Sequence, residues 1–294
     1  MIRVSLALLW ALCASVLTSA WAAESTPSFR TYVNGPWGQI HIRVAGPQSD
    51  APPVLMIHKM VWSSVQFTNV QPLLAAKGIR SVAVDLPGYG MSDGPSTPPT
   101  AAEYANALLP ILDSLGAKKA VFVGSDTGAT IVSVMADLHP DRVERLILSG
   151  PPVFPPGKQA ELLAENPFDQ TLQPDGSHFT KKWAAIYRVA AGKSTLESIH
   201  QSVMQFFIAG PKEWYGHNAI FSYDLAPTLK RLRTPVLLIT NRGDVLYDAA
   251  RDVKKMRPDF AYREIDWNGI NAIADDPIPW TDAVAAYLRE KPSR

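Results

Sequence analysis

Asp126 stands in the run Val123-Gly124-Ser125-Asp126-Thr127-Gly128, a Gly-x-Asp-x-Gly spacing entered from an apolar, strand-like stretch and left by a helix-like one. Two glycines so placed let a strand reverse sharply into a helix, because a Cβ at either position would clash. The residue between them is then held out over the helix N-terminus, the arrangement of a nucleophile elbow. A carboxylate at that tip can attack carbon or move a proton. The N–H of the next residue, Thr127, is placed to face an oxyanion. Ser125, one position early, points sideways and makes a poor nucleophile. The spacing alone is a weak signal, and its weight comes from the elements around it.

Those elements alternate. Residues 29–33 and 39–44 read as a hairpin around Asn34-Gly35-Pro36. Residues 53–57 form a buried-strand run closed by His58, followed by a helical stretch at 65–77 and a strand at 80–84. A loop, Asp85-Leu86-Pro87-Gly88-Tyr89-Gly90-Met91-Ser92-Asp93, leads to a helix at 101–115. The elbow strand, a helix at 127–138 and a strand at 143–149 follow. This is the pattern of a mainly parallel, doubly wound α/β sheet. It breaks after Gly150, where Pro151, Pro152, Pro155 and Pro156 mark a boundary. Residues 151–228 read as a helical, aromatic-rich insertion, and strand–helix alternation resumes at 235–240, 247–256, 261–266 and 279–288. A helical insertion there would sit as a cap over the carboxyl ends of the strands, where open α/β sheets bind ligands. The core would be 23–150 with 229–294, and the cap 151–228.

Composition narrows the partners. The net charge is +1 with no basic cluster, which argues against nucleic acid. No Cys/His spacing suggests a metal site, and no motif suggests an organic cofactor. The first 22 residues read as a signal peptide: Arg3 is the only early charge, residues 4–16 are almost wholly apolar, and Ala20-Trp21-Ala22 offers a cleavage site. The apolar run is short for a membrane span, so no stable membrane insertion is expected after cleavage. Cys13, the only cysteine, lies in this segment. Secretion or a periplasmic location follows as the expectation. The oligomeric state is not readable.

With these elements in place, the chain resembles the α/β-hydrolase superfamily over nearly all of the sequence after residue 22. The resemblance rests on His58 after a buried strand, the loop at 85–93, the elbow at 124–128 and Gly243-Asp244 after a late strand. The aspartate at the elbow and the cap are similar to the epoxide-hydrolase and haloalkane-dehalogenase branch. That resemblance implies attack of Asp126 on carbon, an alkyl-enzyme ester, and hydrolysis by a His-activated water. It also implies Asp244 as the triad acid, with His58, Lys59 and Thr127 at the pocket. Three positions depart from the pattern. Lys59 stands where a glycine after His58 is expected. Ile270 or Asn271 stands where the catalytic histidine should follow the last strand. Asp244 is thereby left without its usual partner, since the last histidine of the chain is His217.

A base must then come from elsewhere. His41 reads as a surface residue, His139 as a helix end, His200 as a surface or packing residue of the cap, and His58 as a strand-end residue beside the pocket. His178, before Trp183, and His217, after Trp214-Tyr215, lie in the cap among aromatics and are the candidates to replace the lost histidine. Each also reads as an ordinary hydrogen-bonded cap histidine. Trp183 and Tyr215 are candidate pocket walls. An elbow aspartate without a base reads equally as an ion-pair partner of Lys59. The leading expectation is an exported enzyme acting on a small, apolar ester, epoxide or halide, or catalysing a related lyase step. The alternatives are a catalytically degenerate small-molecule binder and a scaffold for a protein partner.

Overall fold

The computed structural model describes residues 28–165 and 171–290. The expected signal peptide and Cys13 lie outside the described residues. The first strands, β1 (Ser28–Gly35) and β2 (Gly38–Ala45), pair antiparallel across the turn at Pro36 and Trp37. Then come β3 (Val54–Ile57), α1 (Val70–Ala76), β4 (Ser81–Val84), α2 (Ala101–Asn106), α3 (Leu109–Ser114), β5 (Ala120–Ser125), α4 (Thr127–Leu138) and β6 (Val143–Ser149). Five helices follow before the next strand: α5 (Lys158–Glu165), α6 (Ser177–Ala190), α7 (Leu196–Ala209), α8 (Trp214–Phe221) and α9 (Leu225–Arg231). The chain closes with β7 (Val236–Thr240), α10 (Tyr247–Met256), β8 (Ala261–Glu264), α11 (Ala272–Asp275) and α12 (Pro277–Arg289).

Two helices expected to be continuous are broken, each by a proline. The stretch at 65–77 is a 3₁₀ turn, Ser64–Phe67, followed by α1. Pro72 has no N–H for the carbonyl of Thr68, and its ring crowds that carbonyl, so the helix restarts with Pro72 in its first turn. The stretch at 101–115 splits likewise into α2 and α3, with Pro110 at the start of the second piece. The capping box of Thr100 and Glu103 fixes the start of α2.

The eight strands form one sheet in the order β1-β2-β4-β3-β5-β6-β7-β8. Every pairing from β4 to β8 is parallel. Strands β3, β4, β5 and β7 are buried along their whole length, as expected where helices cover both faces. Leu55, Phe122, Leu146 and Leu238 pack on one face, and Met56, Val123, Ile147 and Leu237 on the other. Register sets up the site. Ile57 pairs with Gly124, Ser125 with Ser149, and Ser149 with Ile239. The carboxyl ends of β3, β5, β6 and β7 therefore share one rim, and the residues just past them, Lys59, Asp126 and Asp244, are brought together.

The two elbow glycines are required by space. A Cβ on Gly124 would run into the carbonyl group of Gly128 and the Cα of Ala129, and a Cβ on Gly128 into the carbonyl oxygen of Ile57. All of these are backbone atoms that cannot swing aside. Gly124→Ala and Gly128→Ala should each lower stability by about 1–3 kcal/mol or more, the range for overpacking a close-packed site. Urea unfolding followed by circular dichroism checks this, with a lower midpoint and an unchanged slope as the expected result.

Candidate active site

Asp126 joins β5 to α4 at φ 50° and ψ −112°, and it is the only non-glycine residue with positive φ among the described residues. Such a conformation costs about 1–3 kcal/mol and persists only where the surroundings over-determine it. Here the Asp126 N–H donates to the Ser149 carbonyl at 2.8 Å, and the Asp126 carbonyl accepts from the Ala129 N–H at 2.8 Å. The backbone is thus tied to β6 on one side and to the helix on the other. Ser125 points away from the tip: its Oγ is buried and accepts from Gln66 Nε2 at 3.0 Å.

Asp126, Lys59, Asp244 and Asn271 line one cavity of about 230 Å³. Burial pushes the Asp126 carboxyl up to about 6. The fields of His217 and Lys59 and the Thr127 N–H oppose that rise, while the Asp244 charge adds to it. No ion pair within 4.0 Å joins Asp126 to Lys59 or His217 among the described residues, so both act on it across space. Asp244 is also raised, by burial first; its Oδ1 accepts the Leu246 N–H at 2.8 Å, and Lys59 favours its charged form. Burial lowers Lys59, against the pull of Asp126, Asp244 and Asp275. A larger groove of about 660 Å³ beside Phe29 and Gln71 has no acid or histidine among its described lining residues.

Lys59 is fixed at both ends. Its backbone N–H donates to Gln66 Oε1 at 2.9 Å. Its ammonium donates to the Ile270 carbonyl at 3.3 Å and, in a shorter contact, to Asn271 Oδ1. The Lys59 backbone donor is therefore occupied by Gln66, and it is the side-chain head that reaches the cavity. Asn271, at the expected histidine position, donates to Ser194 Oγ at 2.6 Å, which in turn donates to Asp275 Oδ2 at 2.6 Å.

Several expected roles change. His58 is fully buried, with Nδ1 donating to the Lys59 carbonyl at 2.8 Å and Nε2 accepting the Leu86 N–H at 3.1 Å. Burial lowers its pKa to about 4, so it is neutral, and no ring nitrogen is left to meet a substrate. His41 is not a surface residue: it is 5% exposed and pairs through Nδ1 with Asp85 Oδ2 at 2.9 Å. His139 ends α4 and bonds Asn106 Oδ1 through Nε2 at 2.7 Å. His178 accepts the Gln173 N–H at 3.2 Å and packs on Phe179 and Phe207. Trp183 is 37% exposed and stacks on Tyr187, and Tyr215 Oη donates to the Ser96 carbonyl at 3.0 Å. None of His178, His217, Trp183 or Tyr215 is among the described residues lining the cavity. His217, in the helical stretch between β6 and β7, acts on Asp126 through its field. Its Nδ1 lies 3.3 Å from Glu213 Oε1, a partner not expected from the sequence although the i,i+4 spacing on α8 was there to read. Gln66 left no sequence signal, because its role depends on the fold of the loop after β3.

The raised Asp126 carboxyl is a stability statement. It titrates near 6 in the folded chain against an ordinary value of 3.8, so between those values the folded state holds more protons than the unfolded. Stability should rise as pH falls from about 6 towards 4, and ionisation above 6 should cost on the order of 1–3 kcal/mol. Asp126→Asn should accordingly be more stable than the parent at pH 8, with the advantage fading towards pH 4. Urea titrations at the two pH values check the sign.

A family model described as alpha/beta hydrolase fold matches residues 52–198. Among curated proteins, epoxide hydrolase B of Mycobacterium tuberculosis is 36% identical over 98 residues, 33% of this chain and 28% of that protein. The bifunctional epoxide hydrolase 2 of Rattus norvegicus is 35% identical over 113 residues, 37% of this chain and 20% of that protein. A haloalkane dehalogenase of Psychrobacter cryohalolentis is 32% identical over 121 residues, 40% of this chain and 39% of that protein. The matched stretches thus span 20–39% of these three relatives. Among solved structures, Cfl2 of Burkholderia cenocepacia superposes with a TM-score of 0.73 at 20% identity, covering 91% of this chain and 98% of that one. The enol-lactonase of Burkholderia xenovorans gives 0.71 at 21% identity, covering 88% of this chain and 100% of that one. With the sheet order, the strained elbow and the matched model in agreement, the chain belongs to the α/β hydrolase fold family.

Proposed function

We propose that this chain is an exported enzyme that acts on a small, mostly apolar molecule through attack of the Asp126 carboxylate on carbon. It would open an epoxide or a carbon–halogen bond, with His217 of the helical insertion serving as the base missing at Asn271. The observation that carries this reading is the strained Asp126, which lines one cavity with Lys59 and lies within the field of His217. The names of the three relatives given above lend support, since those proteins are named for epoxide or haloalkane chemistry. Export rests on the first 22 residues, and the insertion acts as the cap of the pocket.

The chemistry closes without a metal or organic cofactor. An Asp126 oxygen gives an electron pair to the substrate carbon, and the carbon–oxygen or carbon–halogen bond breaks with its pair leaving on oxygen or halide. An epoxide oxygen takes its proton from the Lys59 ammonium, which regains one from solvent. Water then adds to the carbonyl carbon of the Asp126 ester and passes a proton to His217, while the Thr127 N–H faces the developing oxyanion. The tetrahedral intermediate expels the alcohol, which takes the proton back from His217. Asp126 leaves the intermediate as the acid, carrying an oxygen from water, and gives its proton to solvent to restore the carboxylate.

A second reading, ligand binding without turnover, draws on two engagements. Lys59 and Ser194 hold Asn271 where a histidine would act, and Gln66 occupies the Lys59 N–H.

Intact-protein mass spectrometry separates the two. Incubated with a panel of small epoxides and haloalkanes, the parent chain should form an adduct on Asp126 and release it as product, and Asp126→Asn should form none. At alkaline pH, where Asp126 is ionised with or without the field of His217, His217→Asn should form the adduct at the parental rate and release it ~10²–10⁴-fold more slowly, the usual worth of a general base. Ligand-induced stabilisation with neither adduct nor product across the panel would leave binding without turnover. The pH dependence has a definite sign. Only the ionised carboxylate attacks, so the adduct-formation rate should rise with pH through a midpoint near 6, the value set chiefly by the burial of Asp126. A stopped-time series between pH 5 and 8 (about the range general bases are tuned to) reads that limb.

A further inference from the structure

Glu213 is 1% exposed, yet among the described residues neither of its carboxylate oxygens has a donor in hydrogen-bonding geometry. A buried charge with so little direct bonding is expensive unless a nearby charge balances it. The groups that face it are His217, whose Nδ1 is 3.3 Å from Oε1, the Lys182 ammonium, which sits over the Phe206 ring, and the Tyr89 hydroxyl. The first turn of α8 is pinned from below. Tyr89 Oη donates to the Glu213 carbonyl at 2.7 Å and accepts the Gly216 N–H at 2.8 Å. Gly216 has no room for a Cβ against Met60, so the helix rests directly on the loop that carries Lys59. The His217 ring is held between Trp214, with centroids 5.4 Å apart and planes at 33°, and Phe221, at 5.6 Å and 27°.

We propose that Glu213 is the positioning acid of His217, so that the acid–imidazole pair of the site lies within one turn of α8 instead of at the ends of β7 and β8. This rests on the reading of His217 as the base. One face of α8 supplies the carboxylate four residues before the imidazole, and the flanking aromatic rings fix the ring plane. At 3.3 Å the pair is not aligned as a hydrogen bond, and it is the nearby negative charge that favours the imidazole proton on Nδ1 and leaves Nε2 as the basic nitrogen. Asp244 plays no comparable part. Its described partners are the Leu246 N–H and the Lys59 charge, and Asn271 stands where an imidazole would need it.

The test is the tautomer. Long-range ¹H–¹⁵N spectra of the parent chain, with His217→Asn used to assign the ring, should show the neutral His217 proton on Nδ1. Glu213→Gln should move the population towards the Nε2–H form, and Glu213→Asp should restore the parental pattern in part. In the adduct assay with small epoxides and haloalkanes, Glu213→Gln should slow release at least 10-fold with the adduct-formation rate unchanged, which loss of helix packing alone would not produce. A parental proton on Nε2, or the same tautomer in Glu213→Gln, overturns the inference. If Glu213→Gln does not fold, the parental tautomer decides by itself. Slow release in His217→Asn with parental release in Glu213→Gln removes Glu213 and keeps the base. Parental release in His217→Asn removes the base reading, whatever the tautomer.

Discussion

The site depends on a backbone collision that has been avoided. Strand β5 and helix α4 approach so closely at Gly124 and Gly128 that neither position can carry a Cβ, and α4 lies against the carbonyl of Ile57 at the end of β3. That contact forces the chain through a tight reversal, and the strain falls on Asp126. The parallel register of β3, β5 and β6 holds the reversal from both sides, so the carboxylate stands at a fixed point on the rim of the sheet. Loosening either glycine would relax the residue that the cavity is built around.

Charge is distributed around that point in an unusual way. The cavity holds two carboxyls raised by burial, Asp126 and Asp244, and one lysine lowered by it. Lys59 is kept near them by Asn271 and the Ile270 carbonyl, and Asn271 is itself held through Ser194 to Asp275. Asp275 Oδ1 also accepts the hydroxyls of Thr195 and Ser198 at 2.6 Å each, at the start of α7. Asn271 therefore joins three parts of the chain: the loop after β3, the loop after β8 and the helical insertion. A partly buried polar network satisfied at each member helps to specify one arrangement of these three parts.

The helical insertion is tied to the sheet through Tyr89, Met60 and this network, and α8 carries the histidine whose field reaches Asp126. The same helix supplies Glu213. Tyr89 bonds both the Glu213 carbonyl and the Gly216 N–H, so the seating of α8, and with it the position of His217, depends on that one hydroxyl.

By itself the sequence determined the alternation of strands and helices, the elbow, the separation of the helical stretch after Gly150, and the absence of a histidine after His217 in this sequence. These are local matters of periodicity, turn chemistry and residue type. The helix breaks at Pro72 and Pro110 were equally local and equally legible, since a proline lacks the N–H that a continuous helix needs. What the tertiary structure alone decided was where hydrogen-bonding groups are spent. His58 closes a strand in the sequence, and only packing shows both ring nitrogens taken by backbone. His41 alternates as a surface residue of a hairpin until the loop bearing Asp85 folds over it. Lys59 and Asn271 are 212 residues apart, and no spacing rule joins them. Of His178 and His217, equal in the sequence, it is the second whose field acts on Asp126; a Coulomb interaction depends on where the charges lie, and that is set by contacts remote along the chain.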